Sequence, residues 1–148
     1  PVESKRTLAL ELGANDTFDG GPDTVAAIVE ATAGGAHKVI ETAGSARVLE
    51  AAYASTRRGG TTVTVGLPHP EDELRIKAVS LVADEKTLRG SYLGSGNPAE
   101  MLPQLFGHWQ NGDLPVERLI THRLKLEEIN EGFDRLASGE AVRQIVTP

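Results

Sequence analysis

One stretch near the middle of this 148-residue chain constrains its fold more than any other. Lys38, Val39, Ile40, Glu41 and Thr42 read as a strand, and Gly44 with Ser45 turns the chain sharply. Val48, Leu49, Ala52 and Tyr53 then recur at helical spacing, and the helix should stop before Gly59 and Gly60. Residues 61–65 contain only Thr and Val, and Gly66 closes them, so a second strand follows. Strand, short turn, helix and strand make a βαβ unit, whose crossover is right-handed in nearly all cases and whose strands lie parallel. The chain is therefore expected to build a parallel α/β sheet.

The flanking sequence keeps the alternation. Residues 3–12 read as a helix with Leu8, Ala9 and Leu12 on one face and Gly13 as its stop. Thr17 and Phe18 suggest a short strand, broken by Asp19, Gly20, Gly21 and Pro22. Asp23 is placed to cap a helix carrying Val25, Ile28, Val29 and Thr32, which Gly34 and Gly35 end. Residues 68–72 read as a loop and 89–93 as another strand. Asn97, Pro98 and Glu100 supply a cap, a first-turn proline and the acid of a capping box, ahead of the stripe Met101, Leu102, Leu105, Phe106 and Trp109. Pro103 inside that stretch should shift the helix start or kink it. A strand at 119–121, a helix at 126–136 with Ile129, Phe133 and Leu136 inward, a stop at Gly139 and a strand at 143–147 complete the reading.

Composition narrows the function classes. Acidic residues outnumber basic ones 21 to 15 with no Lys/Arg cluster, which argues against a nucleic-acid partner. With 39% hydrophobic and 24% charged residues the chain is not of the disordered type. No apolar run approaches the ~20 residues of a membrane-crossing helix. Glu3, Lys5, Arg6 and Glu11 spoil a secretory leader, and a cytoplasmic location is expected. Zero cysteine removes disulfides, thiolate zinc sites and thiol catalysis together. His37, His69, His108 and His122 show no metal spacing, so no metal ligand and no catalytic residue is assigned in this chain.

Several stretches, in one order along nearly the whole chain, carry a more specific signal. They are Leu12-Gly13-Ala14, Ile40-Glu41-Thr42-Ala43-Gly44, residues 60–68, Leu119-Ile120-Thr121-His122, Ile129-Asn130-Glu131-Gly132-Phe133, and Ser138-Gly139-Glu140 with Arg143. Together they resemble the C-terminal part of the zinc-dependent medium-chain alcohol dehydrogenases, closest to class III-like and related bacterial enzymes. The resemblance implies a partial Rossmann-type, doubly wound parallel sheet lacking its first strand–helix–strand, with a short C-terminal tail that returns to the catalytic domain. On that basis residues 1–115 are expected to be the truncated dinucleotide-binding domain and 116–148 the catalytic-domain segment. The glycine-rich G-x-G-x-x-G turn of such domains is missing, because Gly96 is followed three residues on by Ala99.

The same resemblance implies a cofactor site. The backbone of Thr42 and Ala43 would pack on the adenosine side of the cofactor. Val65, Gly66 and Leu67 would lie along the nicotinamide, and Ser91 and Leu93 would end the strand whose backbone bonds the carboxamide. Lys5 would stand near the adenosine ribose, and Arg143 would pair with the pyrophosphate, which suits its fork. Plainer readings stand beside these: a tight turn needing small residues at 42–44, ordinary core side chains at Val65 and Leu93, and a solvated Lys5.

The function so implied is hydride transfer between an alcohol or aldehyde and NAD in a zinc-containing parent enzyme whose zinc ligands are absent here. The chain alone is then expected to be inactive and to bind cofactor weakly. A homodimer is expected through residues 68–93, where Val79, Leu81 and Val82 would otherwise need cover. The strand at 39–42 should be an open sheet edge, which either pairs with another chain or leaves the first ~20 residues unordered. An NADP-dependent, quinone reductase-like member of the superfamily and a non-catalytic nucleotide-binding or interaction module are the alternatives.

Overall fold

The computed structural model describes residues 2–147, which divide into two compact units: 18–95, and 2–17 together with 96–147. The first unit contains the expected βαβ pattern, together with a helix at Ala78–Ala83 that the sequence reading did not anticipate. After α1 (Glu3–Glu11), which belongs to the second unit, the chain forms α2 (Thr24–Ala31), β1 (Ala36–Glu41), α3 (Ala46–Ser55), β2 (Thr56–Thr64), α4 (Ala78–Ala83) and β3 (Thr87–Gly90). Strands β1, β2 and β3 lie side by side in that order, and both pairings are parallel. Register runs Lys38 to Thr61 and Glu41 to Thr64 across the first pair, then Thr61 to Thr87 and Thr64 to Gly90 across the second. The three strands therefore end level, which brings their following loops to one rim of the sheet.

Local chemistry explains most boundaries. β2 begins five residues before the expected Thr61, at Thr56, and its pairing with β1 is interrupted between Ala36 and Lys38. The extra residues form an irregularity containing Gly59, at φ 69°, whose N–H reaches the Asp84 carbonyl at 2.7 Å. Thr62 is fully buried and shares a 2.6 Å hydrogen bond with Thr56, so two hydroxyls of β2 satisfy each other in the interior. Tyr53 is the principal buried aromatic; its hydroxyl lies 2.8 Å from Ser80, and the Lys86 ammonium sits 4.8 Å from its ring centroid. These bonds hold α3, α4 and the start of β3 together.

The second unit comprises α1 (Glu3–Glu11), α5 (Pro98–Gln110), β4 (Ile120–Lys125), α6 (Ile129–Ala137) and β5 (Arg143–Thr147). β4 and β5 form a separate parallel pair around buried Leu124 and Ala141. The Glu11 carboxylate accepts from Arg118 at 2.8 Å, which ties the end of α1 to the turn before β4.

Several expectations needed correction. Thr17 and Phe18 form no strand, for among the described residues no strand bonds to them. Asp23 sits at the N-cap position of α2 but in a helical backbone conformation, so its side chain accepts nothing there; the hydroxyl of Thr24 bonds the Gly21 carbonyl at 2.8 Å instead. The third strand stops at Gly90, and residues 93–95 form a 3-10 turn. α5 runs in one piece through Pro103, starting where Asn97 accepts from the Ala99 N–H at 3.1 Å. The helix absorbs the proline at the cost of one donor to the Ala99 carbonyl. The helix expected at 126–136 begins as a 3-10 turn, Leu126–Glu128, before α6.

The apolar stripes are also not inward. Leu102 and Phe106 on α5, and Phe133 and Leu136 on α6, are exposed. Among the described residues β1 is an edge strand of its sheet, as expected, and residues 3–11 form α1.

Candidate functional site

Side chains at the level ends of β1, β2 and β3 organise the rim from below. Glu41, the last residue of β1, is 3% exposed. Its Oε1 accepts from the N–H groups of Ala43 at 2.7 Å and Gly44 at 2.8 Å, and its Oε2 accepts from the Thr64 hydroxyl at 2.8 Å. Three donors and no facing acceptor suit an ionised carboxylate. The Glu41 carbonyl in turn accepts from Val65 N–H at 2.9 Å and Gly66 N–H at 3.3 Å. One residue therefore binds four backbone donors from two loops, and the buried charge is balanced by hydrogen bonds.

Close backbone approach completes the joint. Gly44 has φ +68°, and a Cβ on it would stand 2.8 Å from the Leu67 carbonyl oxygen. A Cβ on Gly66 would stand 2.1 Å from the Gly44 nitrogen, so only glycine fits at this crossing. The third loop is joined through Ser91, whose N–H bonds the Thr64 carbonyl at 2.9 Å. Beyond it, Leu93, Gly94 and Ser95 all have positive φ, at 49°, 78° and 55°. Two non-glycine residues in that region make a strained turn, of the kind concentrated at ligand sites.

The structure thus brings Thr42, Ala43, Val65, Gly66, Leu67, Ser91 and Leu93 to one rim. Lys5, on α1, and Arg143, opening β5, belong to the other unit. Arg143 is exposed beside Gly132, Phe133 and Leu136 in an open depression of about 210 Å³. Val65 and Leu93 are 43% and 78% exposed, so the reading of them as core residues fails. Glu41 and Thr64, which tie this rim together from below, carried no assigned site role in the sequence reading. The available signal was one acid closing the apolar pair Val39 and Ile40, three residues ahead of Gly44.

An apolar groove of about 480 Å³ runs along the open edge β1. Phe18, Ile28 and Val48 contribute to its walls, and Glu41, Thr42 and Ala43 lie at its strand-end side. Open α/β sheets bind ligands outside the carboxyl ends of their strands, where this rim lies. Its small residues let a flat ligand approach the backbone itself. Among the described residues no group of three His, Cys, Asp or Glu side chains is placed to hold a metal ion. The described residues do not fit zinc.

Residues 1–110 match the family model described as zinc-binding dehydrogenase. A geraniol dehydrogenase from Castellaniella defragrans is 36% identical, aligned over 99% of this chain and 39% of that protein. An NDMA-dependent alcohol dehydrogenase from Amycolatopsis methanolica is 34% identical over 99% of this chain and 40% of its own length. Among solved structures, benzyl alcohol dehydrogenase from Acinetobacter calcoaceticus superposes with a TM-score of 0.91 at 30% identity, covering 98% of this chain and 40% of that one. The chain spans about 40% of the length of these relatives.

Proposed function

The chain belongs to the zinc-binding dehydrogenase family, and we propose that it is the C-terminal cofactor-domain part of an NAD-dependent, zinc-containing alcohol dehydrogenase. Residues 1–115 serve as the truncated dinucleotide-binding domain and 116–148 as the segment returning to the catalytic domain. Within the family we place it near the class III-like and related bacterial members, in the cytoplasm.

The observation that carries this reading is the rim joined by Glu41, Gly44 and Gly66. The cofactor fits a surface of this kind, because a dinucleotide is recognised largely through backbone at strand ends. Thr42 and Ala43 would contact its adenosine side, Val65, Gly66 and Leu67 would flank the nicotinamide, and Ser91 and Leu93 would bond the carboxamide through the backbone. Lys5 and Arg143 would supply positive charge to the ribose and pyrophosphate. When bound, NAD supplies the acceptor for a hydride from the alcohol carbon. This chain's residues hold and orient the ring and keep side chains out of its path. Zinc belongs to the parent enzyme and has no ligands here.

A homodimer through residues 68–93 accompanies this function. Val79 and Val82 on α4, and Tyr92 beyond β3, are 68%, 81% and 74% exposed, more apolar surface than a solvated helix and strand end need.

Activity assays separate the parts. The protein carrying this chain should form NADH from an alcohol, with geraniol and benzyl alcohol as first probes. The purified 148-residue chain should form none. NADH production by the isolated chain would overturn its assignment as an inactive part. Calorimetric titration with NADP giving much tighter binding than NAD would overturn the choice of cofactor.

A further inference from the structure

Ser95 stands in the turn after β3 where glycine would cost least. Leu93, Gly94 and Ser95 hold φ of 49°, 78° and 55°, a region open to glycine and unfavourable for leucine and serine. Two bonds keep the turn so: the Ser95 N–H reaches the Tyr92 carbonyl at 2.9 Å, and the Ser95 hydroxyl donates to the Ser91 Oγ at 2.9 Å. Ser91 is itself fixed to β2 through its N–H bond to the Thr64 carbonyl. Residues 92–95 are exposed, and the Leu93 N–H donates to no group among the described residues. Elsewhere on the rim the N–H groups of Ala43, Gly44, Val65 and Gly66 are spent on Glu41. Leu93 thus keeps an open donor, on a strained turn clasped at its base by two hydroxyls.

We infer that Ser95 is a positioning residue for the nicotinamide half of the cofactor: its hydroxyl bond to Ser91 holds the 92–95 turn in the form that offers the Leu93 N–H to the carboxamide oxygen. The inference rests on the cofactor reading above. A carboxamide oxygen accepts hydrogen bonds, and a fixed backbone N–H supplies one with no side chain to immobilise. Strain in the turn opposes that position in the free protein. Without the clasp the turn relaxes, the competent fraction falls, and the apparent affinity falls with it. A bond between two exposed hydroxyls counts for little in open water and for more once a ligand covers the rim and excludes water.

The test uses the whole protein that carries this chain, with Ser95→Ala, Ser91→Ala and the two combined. ADP-ribose, which is NAD+ without its nicotinamide, is the comparison ligand. Each single substitution should weaken NAD+ binding about threefold to tenfold, the span of one lost hydrogen bond, while ADP-ribose stays within about twofold. The combined variant should bind NAD+ within about twofold of either single one, because both substitutions remove the same bond. A loss of structure alone would move both ligands alike and would not reproduce that split.

Unchanged NAD+ affinity in Ser95→Ala, an equal loss for ADP-ribose, or losses that add in the combined variant would each overturn the inference and leave the cofactor reading standing. Wild-type protein that binds neither ligand removes the cofactor reading and the inference with it. If the variants do not fold, amide hydrogen exchange of the wild type decides the matter. Residues 91–95 should gain protection with saturating NAD+ and not with ADP-ribose, and equal protection by both would overturn the inference.

Discussion

Gly66 lies against Gly44 so closely that a Cβ added to Gly66 would stand 2.1 Å from the Gly44 nitrogen and 2.5 Å from its Cα. The obstacle is backbone on a turn already held by the Glu41 carboxylate, so it has no flexible side chain to move aside. Gly66→Ala should therefore destabilise the fold by about 3 kcal/mol, at the upper end for overpacking. The control is Gly90→Ala at the end of β3, where nothing lies within 4 Å of the added methyl. Urea denaturation of both variants checks the contrast.

Gly107 lies within α5, again with nothing within 4 Å of an added Cβ. Alanine there gains helix propensity and meets no obstacle. Gly107→Ala should raise stability by about 1 kcal/mol, seen as a higher denaturation midpoint.

Tyr53→Phe keeps the buried ring and the Lys86 ammonium above it but removes the bond to Ser80. Ser80 retains its bond to the Lys77 carbonyl at 2.6 Å, so no buried donor is orphaned. The expected loss is about 1 kcal/mol, measurable by thermal unfolding, and a loss several times larger would mean that the hydroxyl supports more than α4.

Val82 is 81% exposed on α4. Val82→Asp should leave subunit stability within about 0.5 kcal/mol, as surface changes usually do, yet it should disrupt a homodimer formed through 68–93. Sedimentation equilibrium on the intact protein reads the outcome: wild type dimeric and variant monomeric supports that interface, and an unchanged dimer places the contact elsewhere.

Much of the architecture was legible because its signals are local. The strand at 143–147 and the cap at Asn97 are complete within a few residues, and the structure places both as read. The βαβ unit was legible because β-branched strands bounded by glycines leave few alternatives. What failed depended on partners distant in sequence. Thr17 and Phe18 have strand-like composition, but a strand needs a neighbour to bond, and none pairs with them among the described residues. The stripes of α5 and α6 have helical periodicity, which fixes the apolar face and not what covers it.

At the rim, the small residues of 42–44 and 65–67 could be read as a site because glycine marks close approach. Glu41 left only a faint signal, one acid closing an apolar strand ahead of Gly44, because such an acid is usually solvated; the fold shows four N–H groups converging on it. Asp23 errs in the opposite direction: the right residue type stands at the helix start, but its backbone is already helical and cannot aim the side chain.

Under the proposed function, the rim joined by Gly44 and Gly66 receives a nicotinamide dinucleotide. Calorimetric titration of the intact protein with NAD+, in wild type and in folded Gly66→Ala, tests it most directly. Saturable binding with one site per chain is expected in the wild type, with a loss of at least about tenfold in affinity in the variant, the equivalent of about 1.4 kcal/mol. No binding by the wild type, or equal binding by both proteins, would contradict it.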